Sequence, residues 1–149
     1  MLLARGLTVA VAESLTGGLL AAALTAIPGA SAAFRGGVVA YATDLKSALL
    51  DVPAGLLDRH GAVHPAVAGA MAEGARQRLA ATVGAATTGV AGPDPADGQP
   101  VGTVHIAVSA GRSTIVRSLA LPGDRHQIRA ATVERSLGLL ISVLREDSI

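Results

Sequence analysis

A serine and a lysine are the residues of this sequence best suited to nucleophilic chemistry. Ser14 follows the apolar run at residues 7–12 and precedes two glycines, Gly17 and Gly18. Lysine is rare in the chain while arginine is common, and Lys46 comes shortly after a second apolar run. A lysine, unlike an arginine, can lose its proton when it is removed from water, and a serine with a lysine base is a known variant of the activated nucleophile. Ser14 and Lys46 are therefore a candidate catalytic pair.

The same residues also have a purely structural interpretation. Serine and threonine are preferred at helix N-caps, so Ser14 or Thr16 can serve only to begin the following helix. Lys46 can equally be a solvated helix lysine. Glu13 favours a functional site, because a carboxylate between an apolar strand and an apolar helix is costly to bury unless it has hydrogen-bond partners.

The segment around Ser14 is predicted to be a strand-to-helix turn. Small and β-branched residues at 7–12 are typical of a buried strand, and residues 19–24 are rich in helix formers. Unpaired N–H groups at a helix start point at such a turn, and Gly17 and Gly18 let a ligand approach the main chain closely. We expect an anion or a developing oxyanion to be stabilised there.

The remaining elements alternate between strands and helices before a hairpin and a long terminal helix. Further strands are predicted at 37–42, 83–88, 103–109 and 113–121. Helices are predicted from a cap at Asp44 to residue 50, and at 56–59, 65–80 and 124–145. The apolar periodicity of the last helix predicts a buried side made of Ile128, Val133, Leu137, Leu140, Ile141 and Leu144. This order implies a layered α/β/α domain with a mixed β-sheet.

Composition excludes several classes of function. At 149 residues the chain fits a single domain, residues 1–149. A net charge of +1 and 1% aromatic residues argue against nucleic acid as a partner. The chain has no cysteine, and Glu13 and the glycines interrupt its apolar start, so neither a disulfide framework nor a secretion signal is expected. No apolar run is long enough for a membrane span, and cytoplasmic residence is the simplest expectation.

No metal or cofactor is expected. His60 and His64 have the spacing of a metal-binding pair on a helix, but Gly61 and Pro65 interrupt any helix that would align them. A loop or cap role is the better interpretation. The glycine patterns of dinucleotide-binding and P-loop proteins do not occur.

Two arginines can hold an anion. Arg125 and Arg129 lie one helical turn apart after Pro122 and Gly123. Such a pair can clamp a phosphate or a carboxylate with paired hydrogen bonds. The alternative is a solubilising surface role with an ion pair to a nearby carboxylate.

Five motifs together resemble one known family. They are Glu-Ser-Leu-Thr-Gly-Gly at 13–18, Tyr41 five residues before Lys46 in Tyr-x4-Lys spacing, Thr-Gly-Val-Ala-Gly-Pro at 88–93, Pro-Val-Gly-Thr-Val at 100–104 and Pro-Gly-Asp-Arg at 122–125. In order and spacing they are similar to the CinA C-terminal domain family, the nicotinamide-nucleotide amidohydrolases also called PncC or NMN deamidases. The resemblance covers almost the whole chain.

The resemblance implies hydrolysis of the carboxamide of nicotinamide mononucleotide to nicotinic acid mononucleotide and ammonia, without a metal. It implies Ser14 as nucleophile and Lys46 as base, with Tyr41 and Thr88 assisting by hydrogen bonding. The resemblance also implies oxyanion donors from the turn at Gly17 and Gly18. We further expect the loop at residues 89–93 and Arg125 to hold the phosphate and the ribose. The predicted substrate contacts are Glu13, Thr16, Gly17, Gly18, Gly89, Gly92 and Arg125.

The sequence departs from the family pattern at three places. Leu15 stands where cysteine is common, His64 and Pro65 replace a more usual serine, and a helix before Arg5 is missing. The missing helix implies either a truncated sequence or an apolar face covered by another subunit, and a homo-oligomer is expected.

Two alternatives to this hydrolysis stay open. A nucleotide-binding or regulatory module would use the same pocket without turnover. A hydrolase for a different small amide or ester would use the same Ser14 and Lys46 pair.

Overall fold

One mixed sheet organises the chain in the computed structural model, which describes residues 1–146. Its five strands are β1 (Val9–Glu13), β2 (Phe34–Val39), β3 (Val83–Gly89), β4 (Thr103–Ala110) and β5 (Ser113–Ala120), in the spatial order β2-β1-β3-β4-β5. Strand β1 runs parallel to β2 and β3, whereas β4 is antiparallel to β3 and β5. The predicted mixed sheet is confirmed.

Helices cover both faces of the sheet. They are α1 (Leu19–Thr25), α2 (Thr43–Leu50), α3 (Ala54–His60), α4 (Pro65–Arg78) and α5 (Arg125–Arg145). Successive residues of a strand point to opposite faces, so Val9 and Val11 pack in the core beneath α1 and α5 while Ala10 and Ala12 pack beneath α4. The α/β/α layering follows from this alternation, as the sequence predicted.

Small residues let α4 lie very close to its neighbours. A Cβ added to Gly84 on β3 would lie 2.0 Å from the carbonyl oxygen of Ala72 on α4. A Cβ added to Gly74 on α4 would lie 2.0 Å from the carbonyl oxygen of Leu50. Only glycine fits at both contacts, and the core on this side of the sheet is filled mainly by alanine, valine and leucine.

The prediction for the second strand was displaced by three residues. Strand β2 begins at Phe34, not at residue 37, and its paired segment includes Gly36 and Gly37. Glycine is depleted in strands, so Gly36 disfavours a strand that begins before residue 37. The structure shows why Gly37 is needed there: a Cβ would lie 2.7 Å from Cγ2 of Val11 on the neighbouring strand.

The start of α2 also differs from its prediction. Ala42 occupies the N-cap position, and no side chain caps the helix. Asp44 lies in the first turn instead. Its carboxylate is still well placed there, because the positive end of the helix dipole attracts an anion.

Helix α5 begins as predicted, but its buried side differs slightly from the predicted one. Asp124 and Gln127 form a capping box, and Ile128, Leu140 and Leu144 are buried as predicted. Ile141 is 42% exposed, while Val133 and Leu137 are only partly buried. Thr132 and Ser136 take the buried positions, where each hydroxyl donates 2.7 Å to the carbonyl oxygen four residues earlier. These internal bonds let polar side chains occupy the buried side.

Candidate active site

Ser14 stands where parallel strands end side by side. Its backbone N–H continues the β1–β3 pairing by donating to the carbonyl oxygen of Thr87 at 3.1 Å. Its own carbonyl oxygen accepts from the N–H of Gly17 at 3.1 Å, which closes a tight turn before α1. Gly17 and Gly18 have φ of 56° and 103°, a conformation that favours glycine. The carboxyl edge of parallel strands is where α/β proteins place their ligands.

The Lys46 side chain reaches Ser14 from helix α2 and is fully buried. Its Nζ lies 3.2 Å from Oγ of Ser14, 2.8 Å from the carbonyl oxygen of Ala40 and 3.2 Å from that of Tyr41. A neutral amine donates two N–H bonds to the carbonyl oxygens and keeps its lone pair for the Ser14 hydroxyl. The geometry therefore suits a base that takes the hydroxyl proton.

The charge state of Lys46 is set by opposing effects. Burial lowers the pKa of its ammonium group from the ordinary 10.5 to about 8, while the carboxylates of Asp97 and Asp44 act in the opposite direction. A pKa near 8 leaves a useful fraction of the amine unprotonated at neutral pH. Lys46 is also the only lysine in the chain.

A pocket of about 250 Å³ opens above this pair. Seven of the predicted site residues line it, namely Ser14, Tyr41, Lys46, Thr88, Gly89, Gly92 and Arg125. At its rim the Arg125 guanidinium donates to the Tyr41 hydroxyl at 2.9 Å and to the Gly92 carbonyl oxygen at 2.7 Å. Deeper in the pocket, the Thr88 hydroxyl donates to the carbonyl oxygen of Ala62 at 2.8 Å.

Four predicted substrate contacts lie outside this pocket and serve the turn itself. The buried Glu13 carboxylate accepts from the N–H groups of Gly18, Leu20 and Ala21 at 2.8 to 3.1 Å. Thr16 is buried and bonded to the hydroxyl of Thr87. The N–H groups of Gly17 and Gly18 already donate to Ser14 and Glu13. Glu13 thus accepts hydrogen bonds from N–H groups at the start of α1. Because the N–H groups of Gly17 and Gly18 already have acceptors, the expectation that they supply oxyanion donors is not supported.

The N–H of Leu15 is better placed for that task. Among residues 1–146 the structure shows no hydrogen-bond acceptor for it, and Leu15 lines the pocket directly after the serine. Buried N–H groups without a partner are rare, so such a group beside a nucleophile is a candidate ligand donor. Arg129 fixes this turn by donating to the carbonyl oxygens of Leu15 and Thr16 at 2.9 and 3.1 Å. It therefore does not join Arg125 in an anion clamp.

Sequence reasoning missed Asp97, which lines the same pocket. The carboxylate accepts from the N–H groups of Ala62 and Val63 at 2.7 and 3.2 Å. Its signal in the sequence was the Asp-Gly pair at 97 and 98, a strong turn former inside a long loop.

His60 and His64, which have the spacing of a metal-binding pair, have structural roles instead. The rings of His60 and His64 stack with centroids 4.2 Å apart, and Nδ1 of His64 accepts from the N–H of Ala66 to cap α4. Within residues 1–146, no three histidine or acidic side chains are arranged to share a metal ion. None of the helices in that range is long and apolar enough to cross a bilayer.

A second pocket of about 180 Å³ has no comparable chemistry. It lies between α1, the start of β2 and the first residues of the chain, and its lining is apolar throughout. The pocket at Ser14 brings a hydroxyl group and a buried amine together, and for this reason it is the candidate active site.

Comparison with known proteins identifies relatives of the whole domain. Residues 1–144 match the sequence profile described as CinA C-terminal domain. A CinA-like protein of Frankia casuarinae is 55% identical over 144 residues, which is 97% of this chain and 33% of that protein. A CinA-like protein of Parasynechococcus marenigrum is 59% identical over 139 residues, or 91% of this chain and 33% of that protein. The chain thus spans about a third of the length of these relatives.

Solved structures share the fold closely. The competence damage-inducible protein A of Klebsiella pneumoniae is 35% identical with a TM-score of 0.95, and the match covers 99% of this chain and 92% of that one. The competence/damage inducible protein CihA of Agrobacterium tumefaciens is 40% identical with a TM-score of 0.91, over 95% of this chain and 87% of that one.

Proposed function

Because this chain belongs to the CinA C-terminal domain family, we propose that its pocket hydrolyses the carboxamide of nicotinamide mononucleotide. The products are nicotinic acid mononucleotide and ammonia. The single observation that carries the proposal is the 3.2 Å contact between Oγ of Ser14 and a buried Lys46 amine whose pKa is lowered to about 8. A serine needs a base of this kind to attack an amide near neutral pH.

The first half of the reaction forms an ester with the enzyme. Oγ of Ser14 attacks the carboxamide carbon while its proton passes to Nζ of Lys46. The tetrahedral oxyanion accepts a hydrogen bond from the N–H of Leu15, which is left without an acceptor in the turn. The Lys46 ammonium then returns the proton to the departing nitrogen, and ammonia leaves.

The second half releases the acid. Water attacks the ester carbon, and the neutral Lys46 amine takes its proton. Collapse of the second tetrahedral intermediate breaks the bond to Oγ, which recovers its proton from Lys46. One amide and one water are consumed, and one carboxylic acid and one ammonia are formed.

The rim of the pocket supports a phosphorylated substrate. Within residues 1–146, the exposed Arg125 guanidinium donates two hydrogen bonds, to the Gly92 carbonyl oxygen and the Tyr41 hydroxyl. Its remaining N–H donors can bind a phosphate, for which the planar guanidinium is well suited. The backbone of the loop at Gly89 and Gly92 lies alongside and provides further contacts for the ribose.

The proposal is tested by ammonia release from nicotinamide mononucleotide without added metal. Ser14→Ala removes the nucleophile, and Lys46→Arg keeps a positive charge that cannot act as a base. Each substitution should lower kcat by at least about 1,000-fold, since groups that act as a unit fail together. Ser31→Ala, in an exposed 3-10 helix outside the pocket lining, is the matched control and should retain full turnover.

Three other outcomes would contradict parts of the proposal. Turnover that survives Ser14→Ala means that another group is the nucleophile. Nucleotide binding by folded wild-type protein without ammonia release favours the alternative of a binding or regulatory module. Equal activity on nicotinamide riboside, which lacks the phosphate, excludes a phosphate-specific role for Arg125.

A further inference from the structure

The loop between β3 and β4 carries a small hairpin that leans over the pocket. Ala96 and Gln99 pair through two backbone bonds of 3.2 and 2.8 Å. Asp97 and Gly98 form the two-residue turn, with φ of 51° and 69°. This conformation suits the Asp-Gly dipeptide, which fixes the direction of the Asp97 side chain.

The Asp97 carboxylate fits a notch in the opposite wall. Its Oδ2 accepts from the N–H groups of Ala62 at 2.7 Å and Val63 at 3.2 Å. Gly61 leaves the space for it, because a Cβ there would lie 2.8 Å from Cγ of Asp97. The hairpin is therefore fastened to the segment between α3 and α4.

Two residues of the proposed chemistry, Thr88 and Lys46, line the same pocket as Asp97. The carbonyl oxygen of Ala62, whose N–H binds Asp97, accepts the bond from the Thr88 hydroxyl at 2.8 Å. The negative charge of Asp97 also acts on Lys46, where it opposes the effect of burial. The other carboxylate acting on Lys46 is Asp44, which lies on the same helix as the lysine.

We propose that Asp97 is a positioning residue of the active site. Its two backbone bonds hold the pocket wall that supports Thr88, and its charge stabilises the protonated form of Lys46. The role within catalysis rests on the amidase function proposed above. Its structural and electrostatic parts can be measured without substrate.

The unique lysine makes the electrostatic part directly observable. Protein labelled with ¹³C and ¹⁵N in lysine gives one side-chain NMR signal, that of Lys46, which can be followed through its titration. Asp97→Asn keeps an oxygen acceptor but removes the charge, so the pKa of Lys46 should fall by about half a unit. Asp97→Glu keeps the charge and should change it less. Asp94→Asn, which removes a carboxylate from the same loop and pocket, is the matched control and should produce the smallest shift.

Amide hydrogen exchange measures the positioning part. Asp97→Ala removes the acceptor as well as the charge, and exchange at Ala62 and Val63 should accelerate at least about tenfold, as expected for loss of a charge-assisted bond. Asp97→Asn, which keeps an oxygen acceptor but loses the charge, should accelerate exchange at these amides less than Asp97→Ala does. An unchanged Lys46 pKa in Asp97→Asn overturns the electrostatic role, and unchanged exchange in Asp97→Ala overturns the positioning role.

A kinetic readout links the inference to catalysis. In Asp97→Asn the acid limb of the kcat/KM profile, which reports the free enzyme, should move to lower pH by the same amount as the NMR titration. A limb that stays in place while the NMR pKa moves overturns the link to the reaction. If the wild type releases no ammonia, the amidase proposal fails, whereas the NMR and exchange results still decide the role of Asp97 in the pocket.

Discussion

At the scale of single residues, the properties of Lys46 follow from the burial and the hydrogen-bond partners of its amine. Burial lowers its pKa to about 8, and its two carbonyl partners leave the lone pair directed at Ser14. The active form is the neutral amine. We therefore expect kcat/KM to rise about tenfold per pH unit below about pH 8 and to level off above it.

This pH dependence is measured from initial rates of ammonia release at substrate concentrations well below KM. The buffers are matched so that the ionic strength stays constant. The substrate phosphate titrates near pH 6 and so contributes little to a limb centred two units higher. A profile that is flat between about pH 6 and 9 would exclude Lys46 as the general base.

Sequence reasoning identified Ser14 and Lys46, which the fold brings into contact, and missed residues that hold the site in place. Ser14 and Lys46 could be identified because serine and lysine carry chemistry by their type. The Glu13 carboxylate was assigned to the substrate, yet it binds the first amides of α1. Asp97 acts on a turn more than thirty residues away in the chain. Such contacts depend on the closed fold and have no local pattern.

At the scale of elements, the close approach of α4 to its neighbours predicts opposite effects for one substitution at two helical glycines. Gly74→Ala forces a Cβ to within 2.0 Å of the Leu50 carbonyl oxygen and should destabilise the protein by about 1 to 3 kcal/mol. Gly138→Ala on α5 meets nothing within 4 Å. It should stabilise by up to about 1 kcal/mol, because alanine is the better helix former.

Denaturant unfolding of both variants beside the wild type provides the measurement. The two glycines are matched, since both lie inside helices and neither has a positive φ. Equal changes in the free energy of unfolding would show that helix propensity, and not the contact with Leu50, decides the outcome at Gly74.

Most helices and strands could be predicted from hydrophobic periodicity and from residues that mark helix ends. Pro65 marked the start of α4, and Asp124 marked the start of α5. The start of β2 was missed because Gly36 is a poor strand former, and its pairing with Ala10 on β1 is a tertiary contact that no local propensity expresses. The exposed Ile141 has a similar origin: the sheet beneath α5 selects the buried side, and polar residues with internal bonds can occupy it.

At the scale of the whole molecule, the buried lysine couples stability to pH. The folded pKa of about 8 lies below the ordinary 10.5, so between these values the unfolded chain holds a proton that the folded chain has released. The free energy of unfolding therefore rises with pH across this window, with an upper limit of about 1.4 kcal/mol per pH unit for one proton. Below about pH 8 the folded protein bears the full cost of a buried charge.

Lys46→Met isolates this effect because methionine is unbranched and does not titrate. Denaturant unfolding at about pH 7 and pH 10 should show wild type gaining stability relative to the variant as pH rises. Other titrating groups are common to both proteins and cancel in the difference. Parallel pH dependences would mean that the Lys46 pKa is not depressed in the folded state.

The contact between Tyr41 and Arg125 gives the molecule a built-in optical signal. The chain has no tryptophan and a single tyrosine, whose hydroxyl accepts from the guanidinium at the rim of the pocket. Its near-ultraviolet emission therefore originates at one known point beside Ser14 and Lys46. Any anion that draws Arg125 away from the phenol alters the brightness of that single fluorophore, so the native protein reports occupancy of its own pocket without an attached dye.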